Sequence, residues 1–301
     1  MRSTARNGIA WHDDTNPTEE ELRVLQKQYH FHDLDIEDCL SQHERPKIEE
    51  YEDYLFLVFH IPYKRAERIL KEEVNIFLGQ DFLITIHQGN LPVFNRIWSE
   101  VQDSEEKRRE YLQQGTGYFL YELMQQLFEE GFPIVDAMTK DLRTIEDDLF
   151  EKEEEVDVLR DILALQRNII TMRSILLPQR AVIALLEHKN RKFVPEQLGI
   201  YFDNILDAIE RQWSLLDTAK EMSEVFQITH RAWLNHRTTN VIRILTIISV
   251  TLLPLNFLTG LYGMNVALPL QVNPYAFITL VSIMVTMFTA TLGYFTWKRW
   301  L

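Results

Sequence analysis

A chain of 301 residues with 46% hydrophobic side chains and a formal charge of −14 has material for more than one core, yet its charges and its apolar residues are segregated. Arg243, Lys298 and Arg299 supply +3 and the remainder −17, which excludes a basic footprint for nucleic acid. The single cysteine, Cys39, excludes an intrachain disulfide framework and fits a reducing compartment.

At the amino end, Met1 to Gly8 has neither the apolar stretch nor the cleavage site of a secretory signal, so this end is expected in the cytoplasm. Thr18-Glu19-Glu20-Glu21 reads as a capping box opening a helix whose apolar face holds Leu22 and Leu25. In the acidic stretch that follows, Asp33, Asp35, Glu37 and Glu44 have calcium-loop spacing, but Asp38 stands where such a loop needs glycine. The stretch is read as a solvated helix start capped by Asp33, with Cys39 a buried or half-buried thiol.

Tyr54 to Ile61, Val74 to Leu78 and Phe82 to His87 are short apolar runs rich in aromatic and β-branched residues, the pattern of strands. Gly79-Gln80-Asp81 is predicted to be a three-residue hairpin loop, with Pro62 and Gly89 closing the neighbouring strands. His60 and His87, embedded in these runs, are read as satisfied core residues rather than ligands. Helical periodicity follows in Thr116 to Phe128, in Ile134, Met138, Leu142, Ile145 and Leu149, and from Val156 to about Leu186. Glu151 to Glu155, with Lys152, reads as a solvated helix face or turn.

Neither Gly nor Pro occurs from Ile200 to Leu253, which permits one helix of about 54 residues, ~80 Å long. Phe202, Ile205, Ile209, Trp213 and Leu216 give it an apolar stripe on which the preceding helices can pack antiparallel. From Ile244 to Trp297 no charged residue and no histidine occurs, and two membrane spans fit, near Ile244 to Tyr262 and Tyr275 to Trp297. Arg231, Arg237 and Arg243 precede the first span and Lys298 and Arg299 follow the second, so both ends are placed in the cytoplasm and the loop outside. The predicted order is an α/β domain over 1–130, a helical bundle and stalk helix over 131–240, and a two-helix membrane region over 241–301 with an outer loop at 263–274.

Asn235, Thr239, Ile242, Thr246, Ser249, Leu253 and Asn256 recur with alternating spacings of four and three, a heptad seam that is largely polar and uncharged. Asn256 facing lipid would be costly, so the seam is assigned to a pore axis, with Ile242 and Leu253 as apolar constrictions able to gate by dewetting. One hairpin cannot enclose a pore, so conduction requires a homo-oligomer in the lipid bilayer. No Walker sequence, Rossmann fingerprint or Ser/His/Asp arrangement stands out, and the chain is not read as an enzyme.

Pro254 through Asn256 to Gly260, then Tyr262-Gly263-Met264-Asn265, closes a span that ends a long stalk. With Arg45-Pro46-Lys47-Ile48-Glu49-Glu50-Tyr51, Asp53 to Phe56, Phe77-Leu78-Gly79 and the terminal Lys298-Arg299-Trp300-Leu301, this resembles the CorA family of Mg²⁺ channels. The resemblance implies a funnel-shaped homopentamer in the cell inner (cytoplasmic) membrane, whose first membrane helix lines the pore. Gly263, Met264 and Asn265 would be its selectivity filter, with an Asn265 ring at the outer mouth. Mg²⁺, the transported ion in place of any organic cofactor, sheds its waters reluctantly, and neutral amide oxygens can accept hydrogen bonds from the shell it keeps. A positive φ at Gly263 is expected to turn its carbonyl toward the axis. A membrane potential of 100 mV, worth about 2.3 kcal/mol per charge, would drive inward passive flux.

Two departures from the family pattern stand out. After Asn265 the loop reads Val266-Ala267-Leu268-Pro269-Leu270-Gln271-Val272-Asn273-Pro274, without the acid that typical members carry there. Low on the stalk seam, Ile228 occupies the register of the family's regulatory aspartate, and Glu221, further down the same seam, is a possible substitute acid. A Zn²⁺, Co²⁺ or Ni²⁺ carrier of the same fold, and a nonconducting membrane-anchored sensor or scaffold, stay open as alternatives.

Overall fold

The computed structural model describes residues 1–41, 43–151, 155–188, 192–266, 269 and 274–300. Contacts gather the chain into two units, Met1–Gln227 and Ile228–Leu301.

The first unit is built on one six-stranded sheet of order β1-β2-β6-β5-β4-β3, comprising β1 (Arg2–Arg6), β2 (Ile9–Thr15), β3 (Lys47–Glu50), β4 (Tyr54–Arg65), β5 (Arg68–Gly79) and β6 (Phe82–His87). Only the β2 and β6 pairing is parallel; the other four are antiparallel. The three strands read from sequence are the central ones. Their apolar runs are unbroken because both faces are covered. Leu55, Leu57, Phe59, Val74, Ile76 and Leu78 face one core, whereas Phe56, Val58, Phe77, Ile84 and Ile86 face the other.

The smaller core is closed by α1 (Glu19–Tyr29) and α2 (Asp33–Ser41). The capping box is present: the Thr18 hydroxyl accepts from the Glu21 amide at 3.3 Å, and the Thr18 amide donates to the Glu21 carboxylate at 2.8 Å. The larger core gathers α3 (Pro92–Asp103), α4 (Glu105–Gln113), α5 (Thr116–Glu129), α6 (Gly131–Glu151), α7 (Glu155–His188) and the beginning of α8 (Gly199–Tyr262). Arg173 and Arg180 of α7 pair with Asp217 and Glu210 of α8, each at 2.5 Å, which holds these two helices side by side.

Several expectations are corrected. The amino end, to which the sequence assigned no element, forms the β1–β2 hairpin, turned at Asn7 (φ 51) and Gly8 (φ 81), both left-handed as a two-residue type I′ turn requires. Pro62 does not close β4, which runs on to Arg65; β3 pairs only as far as Val58, so by Pro62 the strand has a single neighbour and tolerates a missing amide hydrogen. The β5–β6 hairpin leaves only Gln80 and Asp81 outside its strands, and a Cβ on Gly79 would fall 2.3 Å from the Phe82 ring.

The second unit holds the remainder of α8, which continues unbroken through Pro254 to Tyr262, and α9 (Ala276–Trp297). Val158–Leu186, α8 and α9 are all long and apolar enough to cross a membrane. In α7, however, Ile162, Ile169, Met172, Leu176, Ile183 and Leu186 are fully buried in the larger core, so its apolar side is already used.

Candidate functional site

Within the second unit α8 presents three distinguishable faces. Asn240, Arg243, Ile247, Thr251, Pro254 and Leu258 follow helical spacing on one partly covered face, Ile247 and Thr251 being only 6% and 5% exposed and the other four half-buried. Leu255, beside them, borders a groove shared with Val281, Met284, Val285 and Phe288 of α9. A second face, Val241, Ile244, Leu245, Ile248 and Leu252, is apolar and exposed, suited to lipid.

The third face is the heptad seam. Asn235, Thr239, Ile242, Ser249, Leu253 and Asn256 are exposed and Thr246 is half-buried. At 100° per residue the seam is centred about 130° around the helix from the partly covered face, so what covers the one leaves the other open. The Thr239 and Thr246 hydroxyls donate to the Asn235 and Ile242 carbonyls, both at 2.8 Å. These protons are satisfied on the helix itself, while each hydroxyl oxygen keeps acceptor capacity along the seam.

At the outer end the structure overturns the expected left-handed glycine. Gly263 is not among the residues with positive φ. Its amide donates to the Thr259 carbonyl at 2.9 Å, continuing the α-helical ladder, and the Met264 amide then reaches the Leu261 carbonyl at 3.3 Å. The helix thus tightens into its last turn instead of breaking at glycine. Met264 and Asn265 follow it, both exposed. The Tyr262 hydroxyl donates to the Pro269 carbonyl at 3.5 Å. Residues 267–268 and 270–273, most of the loop segment that lacks an acid, lie outside the described residues. Toward the amino end of the same seam, Glu221, Val225, Ile228 and Ala232 are all exposed.

In the first unit, the stretch with calcium-loop spacing is not a metal loop. Asp35 is buried, not solvated, and accepts the Tyr51 and Tyr54 hydroxyls at 2.9 and 2.6 Å; burial pushes its carboxyl above the usual range. Asp33 is the first helical residue rather than the cap, and it binds Arg23 and Gln26; the His32 ring takes the capping role by accepting from the Leu34 amide at 3.2 Å. Cys39 is buried, and burial raises its thiol pKa. Among the described residues no group of three or more His, Cys, Asp or Glu side chains is arranged to hold a metal ion. The acidic run at 151–155 lies largely outside the described residues.

His60 is buried against the Glu44 carbonyl, 2.8 Å away, and His87 is likewise a satisfied core residue. The network around His87 went unread in the sequence, since its partners come from distant strands. His87 Nε2 lies 3.1 Å from Asp13 of β2 and Nδ1 3.6 Å from Glu72 of β5, with the ring stacked on Phe94. Asp13 also accepts from Arg2 at 2.7 Å, and Glu72 accepts the Gly89 and Asn90 amides at 2.8 and 2.9 Å. Burial opposes charge on His87, but the hydrogen bonds and charges of Asp13 and Glu72 outweigh it and raise its pKa. Burial likewise opposes charge on Asp13, and His87, Thr85 and Arg2 outweigh it and hold the carboxyl low.

A family model described as CorA-like Mg²⁺ transporter protein matches residues 6–299. The Bacillus subtilis protein YfjQ is 30% identical, over 97% of this chain and 90% of its own length, and the cobalt/magnesium transport protein CorA of Thermotoga maritima is 24% identical, over 90% and 77%. In fold, the chain is similar to the complete structure of the CorA magnesium transporter from Methanocaldococcus jannaschii, with a TM-score of 0.89 at 22% identity, covering 100% of this chain and 94% of that one. A match that runs from the end of β1 to just past the end of α9 makes this chain a member of the CorA-like Mg²⁺ transporter family.

Proposed function

We propose that copies of this chain assemble in the cytoplasmic membrane, as a pentamer with both termini inside, into a pore that lets hydrated Mg²⁺ enter passively. The observation that carries this reading is the uncharged polar seam of α8, turned away from the helix's covered face and leading to the exposed Gly263-Met264-Asn265 segment. Rings of Asn256 and Asn265 amide oxygens, with Ser249, Thr246, Thr239 and Asn235 below, would bind the water shell of the ion and leave the shell in place. Ile242 and Leu253 are the positions where the column could dry and close. The names of similar proteins, magnesium transporters and cobalt/magnesium transport proteins, support a divalent cation as cargo.

Reconstitution into liposomes tests the reading. Saturable Mg²⁺ entry down its gradient, without coupling to protons, is the expected result. Zn²⁺ entry driven by a pH gradient would make the chain a carrier instead, and no flux of any divalent ion would leave a membrane-anchored sensor or scaffold. In the same vesicles, Mg²⁺ on the stalk side should slow entry, and Glu221→Ala should relieve that block if this exposed acid has taken over regulation from the Ile228 register. Equal inhibition in the variant would remove Glu221 from the mechanism.

A further inference from the structure

Residues 228–301 carry five cationic side chains, Arg231, Arg237, Arg243, Lys298 and Arg299, and not one Asp or Glu, leaving a formal −19 on residues 1–227 against −14 for the whole chain. Three of the five lie at similar rises along their helices from the connecting loop. From Tyr262 back to Arg243 α8 rises about 29 Å, and from Ala276 to Lys298 α9 rises about 33 Å, each close to the thickness of a bilayer's hydrocarbon core. Arg243 stands on the covered face of α8, one turn from the buried Ile247.

The end of α9 is shaped rather than frayed. The Trp300 amide donates to the Phe295 carbonyl at 2.9 Å and the Arg299 amide to the Thr296 carbonyl at 3.0 Å, a Schellman closure. This holds Arg299 at φ 57, the left-handed position where glycine is usual and an L side chain is disfavoured. The chain folds back so that Trp300 stacks on Phe295, ring centroids 5.7 Å apart, while the Lys298 ammonium lies 5.9 Å from the Trp297 ring. Membrane orientation asks only for cations on one side of the bilayer; it does not ask for a cap that fixes an arginine at a glycine position beside two indoles.

We infer that Arg243, Lys298 and Arg299 form a binding site for the phosphate headgroup of an anionic phospholipid, with Trp297 and Trp300 bordering its acyl chains. The guanidinium groups offer paired N–H donors matched to phosphate oxygens, and Lys298 adds a point charge. A zwitterionic headgroup brings its own cation and gains little from three more. An anionic one brings none, and cations near such a surface are each worth about fivefold in affinity. The site requires the hairpin to lie in a bilayer; it does not require it to conduct.

Full-length protein in phosphatidylcholine vesicles, doped with phosphatidylglycerol or phosphatidylcholine brominated in the acyl chains, reads the site through tryptophan quenching. Quenching should show a preference of about tenfold for the anionic lipid, weakening as salt is raised. The triple variant Arg243→Gln, Lys298→Gln, Arg299→Gln should lose that preference. Arg299→Gly, which suits the left-handed cap and removes one cation, should lose part of it while unfolding at the same temperature as the parent chain. Inorganic phosphate at matching concentration should leave the quenching unchanged. Equal quenching by both lipids, a preference retained in the triple variant, or displacement by inorganic phosphate would each overturn the assignment.

Discussion

Asn265→Ala should lower Mg²⁺ entry about ten- to a hundredfold at low Mg²⁺ concentration, measured as initial rates into liposomes. A hydrogen bond to a charged species is worth about 1.5–3 kcal/mol, and in a symmetric assembly one substitution removes the acceptor from every copy at once. Asn265 is exposed beyond the end of α8, so the loss cannot be blamed on a collapsed core. Asn265→Asp separates chemistry from shape. It keeps an acceptor oxygen and adds charge, and should saturate at lower Mg²⁺ while releasing the ion more slowly, lowering the maximal rate. Parental rates in the alanine variant would take Asn265 out of the pathway.

The largest expected effect on folding lies at His87. His87→Ala would leave the buried carboxylates of Asp13 and Glu72 without their shared partner, a loss of about 3–5 kcal/mol. Trp11 is fully buried and its indole N–H reaches the Thr85 hydroxyl at 3.2 Å, so in a full-length background with the other five tryptophans replaced by phenylalanine its fluorescence reports melting of this region. The pH profile has two limbs. The raised pKa of His87 means its contribution is complete below its ordinary 6.5 and is lost as pH rises through the folded value. The lowered pKa of Asp13 means its contribution is complete above its ordinary 3.8 and is lost as pH falls through the folded value. His87→Gln, which can hydrogen-bond but cannot charge, should flatten the alkaline limb. An unchanged alkaline limb in that variant would assign it to another group.

The central strands, the capping box and the long helices were legible because each announces itself over a few consecutive residues. Tyr54 to Ile61 reads as a strand since both of its faces are buried, and α8 keeps one phase long enough for its seam to be followed from Asn235 to Asn256. What escaped depended on partners far along the chain. Arg2–Arg6 is polar and half-exposed, and only the Asn7-Gly8 pair hinted that it turns back on Ile9–Thr15. Asp35 reads as solvated until Tyr51 and Tyr54 are seen to arrive over it, and Asp13, Glu72 and His87 meet only once three strands have been ordered. Gly263 misled for a different reason: glycine permits a left-handed turn without demanding one, and the ladder from Thr259 simply continues.

Both outer strands of the sheet are poor templates for self-association. β1 ends on Arg2 and Arg6 and has no side chain fully buried, and β3 is four residues long with Lys47, Glu49 and Glu50 among them. Another chain adding a strand to either margin would meet charge, and at β3 little length over which to pair. Such a sheet stays finite when many copies are crowded together, which keeps crowding from running on into fibrous aggregates.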